Sequence, residues 1–197
     1  MSDFADCLNE MRNHYKTNAA EGRSTHYVPS ERFAKKFQAS NLVGLSADDQ
    51  QIVEGLQKLG QDTGQEDADY NQQAIAARTE ELKGAGNTPA AQKTFKEQME
   101  EQKKRAKDNA AQNIDKIYDE AIRIGEENPS AQGAIVSTMD VLSNLWDSLV
   151  TKIVDFVKDI VNKFVEWVKN AWESITSTFN AIGSWISGWF GFRLAPA

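Results

Sequence analysis

The chain has 197 residues, with 22 Lys and Arg against 29 Asp and Glu, for a net charge of −7. An acidic chain of this length has room for one domain or a domain plus an appendage, and it lacks the basic surface that neutralises phosphates, so no nucleic-acid partner is expected. Its single cysteine, Cys7, excludes an intramolecular disulfide and a thiolate metal site.

The opening MSDFADCLNEMRNHYK lacks a basic start followed by an apolar core. The expectation is a chain made soluble without a Sec-type signal, leaving the cell, if it does, by a signal-independent route. Phe4, Leu8, Met11 and Tyr15 recur at helical spacing and predict a short amphipathic helix. Residues 18–29 read as a polar loop, and Ser30 is placed to cap a helix carrying Phe33 and Phe37. Ser46 with Asp49 resembles a capping box, with Ile52, Leu56 and Leu59 on one face before Gly60 ends the helix. A weaker helix over 66–83 carries Tyr70, Ala74, Ala77 and Leu82.

The stretch from Gly84 to Asn87 is a break, and Thr88-Pro89 then sets a capping hydroxyl and a first-turn proline ahead of a long helix reaching about Glu127. Ile114, Ile117, Tyr118, Ala121 and Ile124 fall on one side of it. The basic run Lys103-Lys104-Arg105 lies among Glu100, Glu101 and Asp108, the pattern of a solvated helix face. Asn128-Pro129 stops the helix, and Ser130 is placed to cap the next.

Composition changes at that point. Residues 1–130 hold 17 Lys and Arg, 23 Asp and Glu and no Trp, and are expected to form a polar, acidic helical region, thin in core and open to a protein partner. Residues 131–197 hold 5 and 6, together with all five tryptophans: Trp146, Trp167, Trp172, Trp185 and Trp189. The expected class is all-α, with elongated helices in a hairpin or bundle, ending in a long amphipathic helix and an apolar tail.

Catalytic groups are sparse. His14 and His26 stand in polar sequence without metal-ligand spacing, and no phosphate loop, nucleophile elbow or zinc pattern occurs. No enzyme activity, cofactor or metal is expected.

The strongest signal is a row of thirteen residues: Leu142, Trp146, Leu149, Ile153, Val157, Ile160, Phe164, Val168, Ala171, Ile175, Phe179, Ile182 and Ile186. The row repeats every eleven residues, about 3.67 per turn, which disfavours a left-handed heptad zipper. Projected at about 100° per residue, Leu145, Phe156 and Trp167 widen the row on one flank. Val150, Val154, Val161, Val165 and Trp172 widen it on the other. Lys152, Lys158, Lys163 and Lys169 fall at the borders of this wide apolar arc, and Asp155, Asp159, Glu166 and Glu173 toward the middle of the polar face. Asp147 is the one acid out of place. Border lysines can lay their aliphatic stems along lipid and raise their ammonium groups to the headgroups.

In this pattern, residues 142–186 resemble the amphipathic lipid-binding helices of exchangeable apolipoproteins. The resemblance implies a helix lying in a lipid interface. The uncharged tail from Ala181 to Phe192, with Trp185, Trp189 and Phe190, is too short to span a bilayer but suits its boundary.

The expectation is a membrane-binding protein whose continuous helix, about 65 Å long, binds a bilayer and permeabilises it as a homo-oligomer, as toxins, secreted effectors or ejection proteins do. The rival readings are a lipid-surface coat and a helical homo-oligomer without a membrane role. A further alternative makes the aromatic rings the core of a helical hairpin, which requires the polar half to supply a matching face.

Overall fold

The prolines punctuate a chain otherwise rich in helix formers. Pro29 precedes the second helix, Pro89 opens the fourth, and Pro129 opens the turn before the fifth. The computed structural model describes residues 2–37 and 45–190, and these are helical apart from short connections such as residues 23–30, with no strand among them. The helices are α1 (Asp3–Glu21), α2 (Glu31–Lys36), α3 (Ala47–Gly84), α4 (Pro89–Glu127), α5 (Gln132–Asn162), α6 (Phe164–Trp167) and α7 (Ala171–Ser187).

Local chemistry sets the ends. The hydroxyls of Ser2, Ser46 and Thr88 accept from the backbone N–H groups of Ala5, Asp49 and Ala91. Gly22 ends α1 at φ 67°, where its N–H and that of Arg23 both reach the Asn18 carbonyl. Gly86 and Asn87, at φ 70° and 53°, turn the chain from α3 into α4.

Successive long helices run antiparallel. Gln102 on α4 donates to Asn71 on α3 at 2.9 Å, and Tyr118 on α4 meets Ser143 on α5 at 2.8 Å. The α5 helix lies beside α3 in the same direction, so that Ser130, just before it, donates to Asp49 at 2.9 Å. The α7 helix returns along α3 and α5, and Gln61 donates to the Ile186 carbonyl at 2.9 Å. The α1 helix covers the groove between α4 and α5 through Lys16–Asp115 (2.6 Å), Arg12–Asp119 (2.9 Å), Tyr15–Asp140 (2.9 Å) and Asn18–Asp147 (2.6 Å). One buried cluster draws on helices from both sides of residue 130.

The eleven-residue period is not confined to the C-terminal part. Asp49, Gly60, Asn71 and Leu82 are buried on α3 at steps of eleven, as are Val53, Gly64 and Ile75. On α4 the same holds for Phe95, Ala106 and Ile117, and for Met99, Ala110 and Ala121. Three long helices of one period pack with little need to supercoil.

Several expectations are corrected. Residues 18–21 continue α1, because Asn18 bonds inward to Asp147 and not to solvent. Gly60 does not end a helix: α3 runs on, and a Cβ at Gly60 would collide with Leu142. The buried face of α3 uses Val53 where Ile52 was expected, and Asn71, Ile75 and Thr79 where Tyr70, Ala74 and Ala77 were expected. Ser130 caps nothing, since its hydroxyl is given to Asp49. The helix expected to run unbroken past Leu142 stops at Asn162 and folds back.

Candidate functional site

The residues assigned to lipid contact form a hairpin of α5 and α7. Phe156 meets Phe179 edge-on at 5.8 Å, Lys152 lies 5.1 Å over Trp185, and Trp146 meets Trp189 at 6.4 Å. The chain reverses over residues 163–170, where Lys163 and Asn170 leave helical geometry at φ −108° and −128°. At this reversal Phe95 stacks on Trp167 at 5.5 Å and packs on Phe164 at 5.7 Å. The segment KFVEWVKN contains neither glycine nor proline, and the row Ile160, Phe164, Val168, Ala171, Ile175 crosses it in unbroken register.

The structure buries most of this row. Leu142, Trp146, Leu149, Ile153, Val157, Ile160, Phe164, Trp167, Ala171, Ile175, Phe179, Ile182 and Ile186 are all core residues. Phe156, Val168, Trp185, Trp189 and Phe190 are partly buried against them. Trp172 and Val165 stand out, 57% and 72% exposed, with Lys83 lying 6.0 Å over the Trp172 ring. Lys152, Lys158, Lys163 and Lys169 are exposed, as their border positions require. Lys158 pairs with Asp155 and Lys163 with Asp159. Gly191 and Phe192, the end of the expected tail, lie outside the described residues. Among the described residues no helix is long and apolar enough to cross a membrane.

Beside the apolar α4 residues Ile114, Ile117 and Tyr118, part of what covers the hairpin was not visible as hydrophobicity. The partner face of α3 offers Gly60 and Gly64, and a Cβ at Gly64 would stand 2.8 Å from Trp189 and 3.6 Å from Leu149. Small residues make room, and the large side chains come from α5 and α7. Some buried polar groups are left unpaired. Among the described residues the indole N–H groups of Trp146, Trp167 and Trp189 have no acceptor, and one carboxylate oxygen of Asp67 and one of Asp147 have no donor. A buried polar atom left unpaired costs about 1–3 kcal/mol.

Asp147 is the misplaced acid of the amphipathic pattern, and it proves to be interior, 2% exposed. It accepts from Asn18, which also donates to the Thr25 carbonyl at 2.8 Å and accepts from the Thr25 hydroxyl at 2.9 Å. Burial raises its pKa to about 7, and Asn18 opposes the rise. Asp67, 4% exposed, is raised to about 7 by burial alone.

The histidines form no catalytic array: His14 bonds the Thr25 carbonyl at 2.7 Å. Among the described residues no group of three His, Cys, Asp or Glu is placed to hold a metal ion. Burial pushes the Cys7 thiol up to about 11, which suppresses its thiolate. No protein-family model, curated protein or solved structure matches this chain.

Proposed function

We propose that the protein is a non-enzymatic, membrane-binding protein that stores the α5–α7 hairpin against α3 and releases it into lipid bilayers, which several copies together permeabilise. The observation that carries this reading is the apolar register running unbroken through the reversal at 163–170. A hairpin that serves only as core has no need to keep that register where the chain turns, and apart from Asn170 at its end the reversal has none of the Gly, Pro, Asn or Asp from which turns are normally built. Straightened, residues 142–186 form one amphipathic helix of about 65 Å, bordered by Lys152, Lys158, Lys163 and Lys169.

Two further features support release. The unpaired indole N–H groups find acceptors at a lipid–water boundary, where tryptophan is favoured. The helix carries charge along its length, so it lies in the interface as a single copy, and it crosses only where several copies turn their charged faces toward water.

The test joins α7 to α3. The position a Cβ would take at Gly183 is 3.5 Å from the Gln65 amide, so Gln65→Cys with Gly183→Cys can be bridged by a short cleavable bis-maleimide, while Cys7 stays buried. The bridged protein is expected to leave dye trapped in protein-free liposomes, and cleavage is expected to restore release. Equal release before and after cleavage overturns delivery by opening. Binding without release supports a lipid-surface coat. A stable oligomer that ignores lipid supports the assembly reading and ends the membrane one.

A further inference from the structure

A groove beside α3 has no residue of the hairpin in its walls. It lies between α3 and α4, encloses about 220 Å³ and is lined by Thr63, Glu66, Asp67, Tyr70, Asn109, Gln112, Asn113 and Lys116. Every wall residue is polar or carries a polar tip, which is unusual for a groove between two packed helices. At its base sits Asp67, 96% buried by its 4% exposure, with one carboxylate oxygen lacking any protein partner. Among the described residues neither Glu66 nor Lys116 has an ion-pair partner.

From this placement we infer that the α3–α4 groove binds a small organic cation with a primary ammonium group, a short diamine being the simplest example, with Asp67 as its anchor. An ammonium has three donors and no acceptor, and the groove offers the complement: the Asp67 carboxylate, the amide oxygens of Asn109 and Asn113, and Glu66 at the rim. Tyr70, 44% exposed, presents an aromatic ring to the methylene chain. The volume equals roughly seven waters at about 30 Å³ each, enough for a chain of four to six heavy atoms. A divalent metal ion fits less well, because the groove provides two carboxylates and a lysine that repels a second positive charge. The acidic surface, net −7, draws cations toward it. The inference is independent of the membrane reading.

Titration calorimetry of the full chain with putrescine tests it. One saturable site is expected, weakened roughly tenfold or more in Asp67→Asn. Lys116→Gln is expected to bind more tightly, because it removes the opposing ammonium. A purely structural role for these residues does not predict that opposite sign, and Lys116 is exposed enough for the variant to fold. Glu66→Gln, also at an exposed position, decides the matter by its own weakening if Asp67→Asn does not fold. Absence of saturable heat, equal binding by Asp67→Asn, or Mg²⁺ binding where putrescine does not would each overturn the assignment.

Discussion

Acid should tighten this bundle, against the habit of proteins whose carboxylates are salt-bridged. Asp67 and Asp147 both have folded-state pKa values raised from 3.8 to about 7, chiefly by burial. Their contribution to stability is fully present below the unfolded value, where both states are protonated, and is lost as pH rises through about 7. Between pH 5.5 and 8 the folded form takes up a proton at each site while the unfolded form stays ionised. At about 1.4 kcal/mol per pH unit this amounts to about 2 kcal/mol per carboxyl, or ~4 kcal/mol for the two. For a chain of this length that corresponds to a rise in Tm on the order of 10 °C. Urea unfolding followed by tryptophan fluorescence at the two pH values measures it, with the slope checked for constancy. Asp67→Asn with Asp147→Asn should be more stable than the natural chain at pH 8 and lose most of the pH dependence. A natural chain that weakens between pH 8 and 5.5, or a double variant that keeps the full slope, would refute the reasoning.

The same linkage makes dye release from liposomes slower at pH 5.5 than at pH 8, provided opening precedes insertion; faster release in acid would count against these carboxyls as governors of opening. Gly60→Val drives a side chain into Leu142 and should cost about 1–3 kcal/mol, lowering the urea midpoint. Gly55→Ala, in the same helix with open space around it, should instead gain about 0.5–1 kcal/mol by the same measurement. Val161→Asp with Val165→Asp, one half-buried and one exposed position, should leave the helical circular dichroism intact while abolishing co-sedimentation with liposomes. Liposome binding should survive ~0.5 M NaCl, because residues 131–197 carry a net charge of only −1 and long-range attraction contributes little.

The all-helical class was legible because helix periodicity is written in apolar residues and its limits in Ser46, Thr88 and the prolines. The eleven-residue row was legible too, and residues of that row that the sequence set against lipid are the ones the fold sets against itself. The α3 part of the covering face carried no hydrophobic signal, since Gly60 and Gly64 contribute space, which composition does not record, whereas the α4 part with Ile114, Ile117 and Tyr118 was legible. The reversal at 163–170 was hidden for the opposite reason. Its residues keep the apolar register and hold no Gly or Pro, so the sequence carries no break signal, and the reversal is seen only in tertiary contacts such as Phe95 against Trp167. Asp147 did announce itself as an acid on the wrong side, and the missing information was its partner, Asn18, 129 residues earlier.

The unequal contact between α3 and the hairpin matters for what is left behind if the two separate. Where two sticky surfaces part, both must find new company, and the abandoned half becomes a seed for aggregation. Toward α3, bulk sits on the hairpin and hollows at Gly60 and Gly64, but toward α4 both sides are large. Departure of the hairpin would uncover the hollows at Gly60 and Gly64 together with Phe95, Ile114, Ile117 and Tyr118 of α4, while the departing helices carry the tryptophans with them. On the proposed reading both parts are apolar after separation, and the remainder stays in solution only where its own helices close over the uncovered α4 face. On that reading the direction of the event comes from the lipid that takes up the hairpin, and not from the fold alone.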